Sequence, residues 1–335
     1  MVAGAPAQAR WIRAEPRHSL PTEILQRIAD AAVGGHRVLS AEPLGDGLRN
    51  SNFKLRLDSL SAPLVLRIYE HDASLCQKEV DLWRLVGGAV PVPEVIHSEP
   101  RGWDDLPPFA LLGWIDGISF RDLKRAGDTE AIAQAARAAG ETLAAVGQFT
   151  FAKPGWIGPG PAVTAPLLEG GNAMPRFVDL CLETDVLRRR MPADLPERTH
   201  ALMWSLAEPL QALERETSLV HGDFNRRNLL VARAGGRCRV AAVLDWEFAV
   251  CGSPLADVGS FLAYERMARP IAEPHFTAGF AEAGGRLPDD WRRLARVCGL
   301  AGLCESLSRE QLPAAFVPEL VELVRATVED RDPRL

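Results

Sequence analysis

The sequence predicts an α+β chain of two lobes: a small β-rich N-terminal lobe and a larger, mainly helical C-terminal lobe. Three observations predict this. Short alternating or apolar runs, bounded by Gly and Pro, fill much of 37–114. Longer stretches with apolar residues at helical spacing fill most of the chain beyond residue 114. A strand-like island, 219–231 with 240–244, interrupts those helices, and polar oxygen-bearing residues flank its apolar runs. The expected boundaries are a loose arm over 1–20, an N-terminal lobe over 21–114 and a C-terminal lobe over 115–335.

In chain order, Ile24, Leu25, Ile28 and Ala32 keep helical spacing after a Pro21-Thr22 start, and Gly34-Gly35 ends that helix. Strands are expected over 37–44 and 52–57, the second alternating Phe53, Leu55 and Leu57 with Asn52, Lys54 and Arg56. Between them lies a glycine-bearing turn that contains Gly45 and Gly47 and ends at Asn52. Such a turn can lay backbone N–H groups over phosphates, or can be an ordinary hairpin. A third strand covers 64–69 and carries Arg67. Asp72 can cap a helix over 73–86 whose middle holds Glu79, so Arg67 and Glu79 can pair from strand to helix. After Pro91-Val92-Pro93, strands are expected at 95–97 and 109–114, with a turn at 115–117. Asp128 caps an alanine-rich helix to about 148. The Gly- and Pro-rich stretch 151–166 reads as a loop. Helices are expected over 172–190, 197–215, 255–267, 272–283, 290–307 and 316–329.

Composition narrows the function. Apolar residues make up 47% of 335, enough for a large core. The net charge of −6 gives no sign of a nucleic-acid partner. Six cysteines form no CxxC and no zinc spacing, so buried reduced thiols and a cytoplasmic protein are expected. No basic region followed by an apolar run opens the chain, and no uninterrupted apolar stretch of about 18 residues occurs. Neither a signal peptide nor a membrane partner is therefore expected. A monomer is expected.

The island carries the chemistry. It reads LVHGDFNRRNLLV, and the second run ends in Asp245. Asp223, Asn228 and Asp245 could meet and hold Mg²⁺ beside a hydroxyl nucleophile. A hydroxyl attacking a γ-phosphate needs a carboxylate to orient it and take its proton, and a phosphate-bridging metal wants hard oxygen ligands.

HGDFNRRN followed by VLDWEF resembles the signature of the aminoglycoside phosphotransferase and choline kinase superfamily. The resemblance covers roughly 37–330 and implies a protein-kinase-like fold. It implies that Asp223 is the catalytic base, that Asn228 and Asp245 are the Mg²⁺ ligands, and that ATP or GTP is the phosphate donor. Arg67, Glu79, Gly45, Gly47 and Asn52 would serve the nucleotide phosphates, and 112–116, with Leu112 and Trp114, the base. Arg67 departs from the usual lysine at its position, though its guanidinium fork can also hold phosphate. Asp257, in PLADVG, resembles the buried aspartate that braces the catalytic loop, and His221 a structural histidine.

Other residues keep two readings. Arg226 and Arg227 either help bind the transferred phosphate or are solvated. Glu247 either reaches groups around the metal or is a plain exposed carboxylate. Glu305 and Glu310 either recognise a cation or form a solvated helix face. Only the eleven residues 246–256 separate Asp245 from Asp257, too few for a phosphorylatable activation segment. The expectation is therefore a small-molecule kinase. An aminoglycoside-type antibiotic is the leading acceptor, with a sugar, an amino alcohol or a macrolide as alternatives. An inert kinase-like binding protein would have no chemical need for all three of Asp223, Asn228 and Asp245.

Overall fold

The structure is a computed structural model and describes residues 19–44, 50–265 and 270–330. The arm expected over 1–20 thus falls outside the described residues except for Ser19 and Leu20, and Gly45 and Gly47 fall outside them as well. The chain divides into two compact units. One comprises the described residues to Val80 with Glu94–Trp114; the other comprises Asp81–Pro93 and the described residues from Ile115 onward.

The first unit is built on helix α1 (Thr22–Ala32) and strands β1 (Val38–Pro43), β2 (Ser51–Leu57) and β3 (Leu64–Ile68). Helix α2 (Ser74–Val86) comes next, then β4 (Val95–Glu99) and β5 (Phe109–Gly113). The five strands form one antiparallel sheet in the order β1-β2-β3-β5-β4. Alternation decides the faces. Phe53, Leu55 and Leu57 turn inward and pack with Leu66, Ile68, Phe109 and Leu111, and Leu25 and Ile28 of α1 close the cluster. Asn52, Lys54 and Arg56 point the other way and are less buried. Asp72 Oδ1 accepts from the Ser74 amide at 2.9 Å, so α2 begins where the sequence placed it.

Residues 81–93 group with the second unit for identifiable reasons. Asp81 Oδ2 accepts from the Gly160 amide and the Pro91 carbonyl from the Val243 amide, both at 2.8 Å. The second unit continues through β6 (Ile118–Ser119), α3 (Phe120–Ala126), α4 (Thr129–Gly147), β7 (Gly155–Gly158), β8 (Ala162–Ala165), α5 (Ala173–Leu182), α6 (Asp185–Arg190), α7 (Leu195–Ser205) and α8 (Ala207–Leu213). It then runs through β9 (Ser218–Val220), β10 (Leu229–Ala234), β11 (Arg237–Val243), β12 (Val250–Gly252), α9 (Leu255–Leu262), α10 (His275–Glu282), α11 (Trp291–Ser308) and α12 (Val317–Val328). Two small antiparallel sheets result, β11-β10-β6 and β8-β7-β12-β9.

Several expectations are corrected. The stretch 151–166 is a hairpin, not a loop; each of its strands has four residues, too few to show a period, and β7 pairs with β12 almost a hundred residues away. The helical stretch 172–190 divides at Thr184, whose Oγ1 accepts from the Leu187 amide and starts α6 afresh. The stretch 197–215 likewise divides into α7 and α8, and α9 ends at Leu262 rather than 267. Helix α3, capped by Ser119 and closed by Gly127 at φ +74°, went unread because it is only seven residues long.

Close helix approach holds the second unit together. A Cβ on Gly140 of α4 would lie 2.0 Å from the Phe276 carbonyl oxygen, and one on Gly279 of α10 would lie 2.2 Å from that of Arg137. The two backbones therefore touch where the side chains are missing. Gly140→Ala is expected to force α4 and α10 apart and destabilise the protein by about 2–3 kcal/mol. A thermal melt unchanged from wild type would contradict this contact.

Candidate active site

In the first unit, Arg67 of β3 stands opposite Asn52 of β2. Its Nε lies 3.0 Å from Glu79 Oε2, and Nη2 donates to Oε1 at 3.4 Å. The Glu79 side chain is fully buried and that of Arg67 is 8% exposed, so this is a buried pair, not a surface salt bridge. Breaking such a pair from one side costs far more than an exposed one would. Leu112 lies inside the sheet, opposite Val65 on one side and Val95 on the other. Trp114 is the first residue beyond the strand, and Lys54 Nζ sits 4.2 Å from the centre of its ring.

In the second unit, the loop between β9 and β10 sets out Asp223. The backbone turns at Gly222, φ +80°, where a Cβ would meet the Phe248 carbonyl oxygen at 2.3 Å; only glycine fits. Asp257, at the start of α9, braces the turn. Its Oδ2 accepts from the His221 amide at 2.6 Å and its Oδ1 from the Gly222 amide at 2.9 Å. Burial pushes the Asp257 carboxyl up to about 7, against the lowering effect of the backbone N–H groups of His221, Gly222 and Phe224.

The contacts of His221 fix its tautomer. Nδ1 accepts from the Asp223 amide at 3.2 Å, so the ring proton is on Nε2, which donates to the Leu244 carbonyl at 2.9 Å. Both nitrogens are thus engaged with backbone, and the ring packs edge-on against Trp246 at 4.7 Å. The Leu244 amide in turn donates to the Asn228 carbonyl at 2.8 Å. Held from both sides, Leu244 delivers Asp245 next to Asn228, and Asp245 adopts a left-handed φ of +59°. Few residues other than glycine take this conformation; aspartate tolerates it well.

Two amides hold the Asp223 carboxylate. Asn225 Nδ2 donates to Oδ1 at 2.6 Å and Asn228 Nδ2 to Oδ2 at 2.7 Å. Asn228 Nδ2 also reaches the Asp223 carbonyl at 3.0 Å. With its nitrogen spent on these acceptors, the Asn228 side-chain oxygen is the atom that could serve as a ligand. Burial pushes the Asp223 carboxyl up to about 6; the two amide bonds lower it, and Asp245 and Glu247 raise it. Asp245 and Glu247 therefore each repel the Asp223 carboxylate, and a divalent cation would relieve that repulsion. A carboxylate and an amide oxygen are the hard donors that Mg²⁺ prefers, so the residues present fit that ion.

Sequence reasoning missed Asn225, Tyr264 and Phe316. Asn225 had a local signal, since an Asn two residues after Asp223 can return its amide to the carboxylate while its Oδ1 accepts from the Arg227 amide at 2.8 Å. Tyr264, just past α9, and Phe316, just before α12, had none. They lie under the guanidinium groups of Arg226 and Arg227, at 4.6 and 5.7 Å from the ring centres.

A family model described as the phosphotransferase enzyme family, APH, matches residues 40–297, which includes every site residue above. The chain belongs to the APH phosphotransferase family. Solved structures agree on the fold. Aminoglycoside phosphotransferase APH(4)-Ia has a TM-score of 0.66 at 17% identity, covering 92% of this chain and 99% of that one. The GDP complex of wild-type aminoglycoside 2'-phosphotransferase-IIIa has a TM-score of 0.66 at 16% identity, covering 93% and 99%. The protein-kinase-like fold expected from the resemblance is thus the fold of this APH chain. Among curated proteins, it is 28% identical over 265 residues to acyl-CoA dehydrogenase family member 10 of Mus musculus, covering 73% of this chain and 22% of that protein. It is 30% identical over 115 residues to acyl-CoA dehydrogenase family member 11 of Pongo abelii, covering 34% and 14%. This APH chain spans less than a quarter of the length of these relatives. Among the described residues, no helix is long and apolar enough to cross a membrane.

Proposed function

We propose that this chain is a Mg²⁺-dependent small-molecule kinase that transfers the γ-phosphate of ATP or GTP to a substrate hydroxyl, with Asp223 as base. The observation that carries the reading is the Asp223 carboxylate, aimed by two amides and placed beside Asn228 and Asp245. In the reaction the acceptor oxygen attacks the γ-phosphorus, and the bond to the bridging oxygen breaks. The nucleoside diphosphate leaves, and the hydroxyl proton passes to Asp223. A carboxyl near 6 is mostly ionised at neutral pH and ready to take it. Asn228 and Asp245 would hold Mg²⁺, which when bound neutralises and orients the donor phosphates. Arg67, fixed by Glu79, would touch those phosphates, with Asn52 beside it and Trp114 toward the base.

The solved neighbours support a nucleotide donor, since structures of the two enzymes contain AMP-PNP and GDP. An aminoglycoside-type antibiotic is the acceptor class those neighbours suggest, hygromycin B in one and kanamycin in another. Sugars, amino alcohols and macrolides remain alternative acceptors. A soluble monomer acting on small molecules, with neither nucleic acid nor membrane as partner, completes the reading.

Two variants test the donor side. Asp245→Ala is expected to abolish Mg²⁺-dependent nucleotide binding, and an unchanged binding isotherm by calorimetry would contradict the ligand assignment. Arg67→Ala is expected to raise the apparent KM for nucleotide with little change in kcat. It should also lower stability by about 3–5 kcal/mol, because Glu79 stays buried without its partner. A loss confined to kcat would place Arg67 away from the bound phosphates. A coupled ADP-release assay with antibiotics, sugars and amino alcohols tests the activity; release that no hydroxyl compound stimulates would overturn it.

A further inference from the structure

Arg226 and Arg227, the third and fourth residues after Asp223, are not accounted for by the loop's architecture. Neither guanidinium has a carboxylate within ion-pair distance among the described residues, whereas Arg309 pairs with Glu305 and Arg67 with Glu79. What holds them is aromatic. The Arg226 guanidinium lies over the Tyr264 ring, 4.6 Å from its centre, and that of Arg227 over Phe316 at 5.7 Å. Stacking fixes the plane of a guanidinium and leaves its N–H edge free, the arrangement that receives a carboxylate or phosphate oxygen pair.

These groups act on one another. The Tyr264 hydroxyl is pushed up by burial and by Glu319, and pulled down by Arg227 and Arg226; it also feels Asp223. Arg226, Arg227, Tyr264, Glu319 and Asp223 therefore lie within electrostatic reach of one another in the second unit. Glu319 and Glu265 both act on Arg226, but neither forms an ion pair with either arginine among the described residues, and Glu265 is already paired with Lys124. Two like charges on adjacent residues repel each other, and a bound anion would relieve that repulsion as no cation could. A polycationic acceptor would meet two guanidinium groups next to the base.

We infer that the acceptor is an anion, a hydroxyl compound bearing a carboxylate or phosphate group that Arg226 and Arg227 clamp while Asp223 takes the hydroxyl proton. The inference rests on the kinase reading and gives its substrate class, in place of the polycationic antibiotic. Each arginine here is a specificity-determining residue.

The test is acceptor-stimulated ADP release from the full chain with Mg²⁺ and ATP, using compounds that differ in charge. Short and long hydroxycarboxylic acids and phosphate monoesters, glycerate and glycerol 3-phosphate among them, form one arm. Their uncharged counterparts, such as glycerol, form the second, and kanamycin the third. The expected result is a kcat/KM at least about tenfold higher for anionic members than for their neutral counterparts. In Arg226→Gln and Arg227→Gln that ratio should collapse toward one, mainly through KM for the acceptor, with Arg226→Lys restoring part of it. Thermal melts establish that the variants fold. A preference for kanamycin or for neutral alcohols overturns the inference and leaves the kinase reading intact. So does an unchanged ratio in the variants. An equal fall in kcat on every acceptor assigns the arginines to the transferred phosphate and also overturns it. No stimulation by any arm overturns both readings.

Discussion

Asp223→Ala is expected to lower kcat by about 10³–10⁴ while nucleotide binding and folding are kept. General-base catalysis supplies about 10²–10⁴ in rate, and here the same carboxylate also orients the hydroxyl. The variant should keep its nucleotide because the metal side of the loop does not hang on that side chain. Asn228 Nδ2 retains its bond to the backbone carbonyl of residue 223, 3.0 Å away, so its oxygen stays where a cation would find it. Steady-state kinetics and calorimetry on the same sample separate the two effects. Turnover near that of the unaltered enzyme would remove Asp223 from the chemistry.

Asp257→Asn is expected to destabilise the second unit. The carboxylate accepts from the backbone amides of His221 and Gly222, one with each oxygen, and an amide side chain can accept with only one. One buried N–H would face another, at a cost of about 1–3 kcal/mol, and Asp257→Ala would strand both, at about 2–6 kcal/mol. Because those amides belong to His221 and Gly222, the damage reaches Asp223, and kcat should fall with stability. A pH signature accompanies this. The folded carboxyl sits near 7, above the ordinary value near 4, so the folded chain binds the proton more tightly than the unfolded one does. This contribution to stability is full below about pH 4 and is lost as the pH rises through about 7. Denaturant melts of Asp257→Asn should therefore vary less across that window than those of the unaltered chain. Identical profiles would assign the titration elsewhere.

What could be read from the sequence was what is local. HGDFNRRN puts the proposed base, its orienting amide and the asparagine proposed as metal ligand within six residues, and their bonds are made within that span. Asp72 and Asp128 announce their helices because a cap acts two or three residues away. The Arg67–Glu79 pair was legible as a possibility, but its burial was not, since that depends on a sheet whose paired strands β3 and β5 lie more than forty residues apart. The hairpin of β7 and β8 failed for the same reason in stronger form: its partner β12 lies far along the chain and has three residues. Tyr264 and Phe316 carry no pattern that marks them. They matter through which guanidinium lies over each ring, and tertiary packing alone determines that.

The six cysteines, all buried and none in a disulfide, have a practical consequence. Cys76 belongs to the first unit and the other five to the second. Burial holds the thiol of Cys251 up at about 11 and that of Cys298 at about 12, so little thiolate exists while the chain is closed. An alkylating reagent added in excess modifies each thiol only as its surroundings open. Site-resolved alkylation rates, read by mass spectrometry, then time the opening of each unit separately, and addition of nucleotide reveals which of the two it slows. The chain thus carries native reporters of its own breathing, and no label has to be engineered into either half.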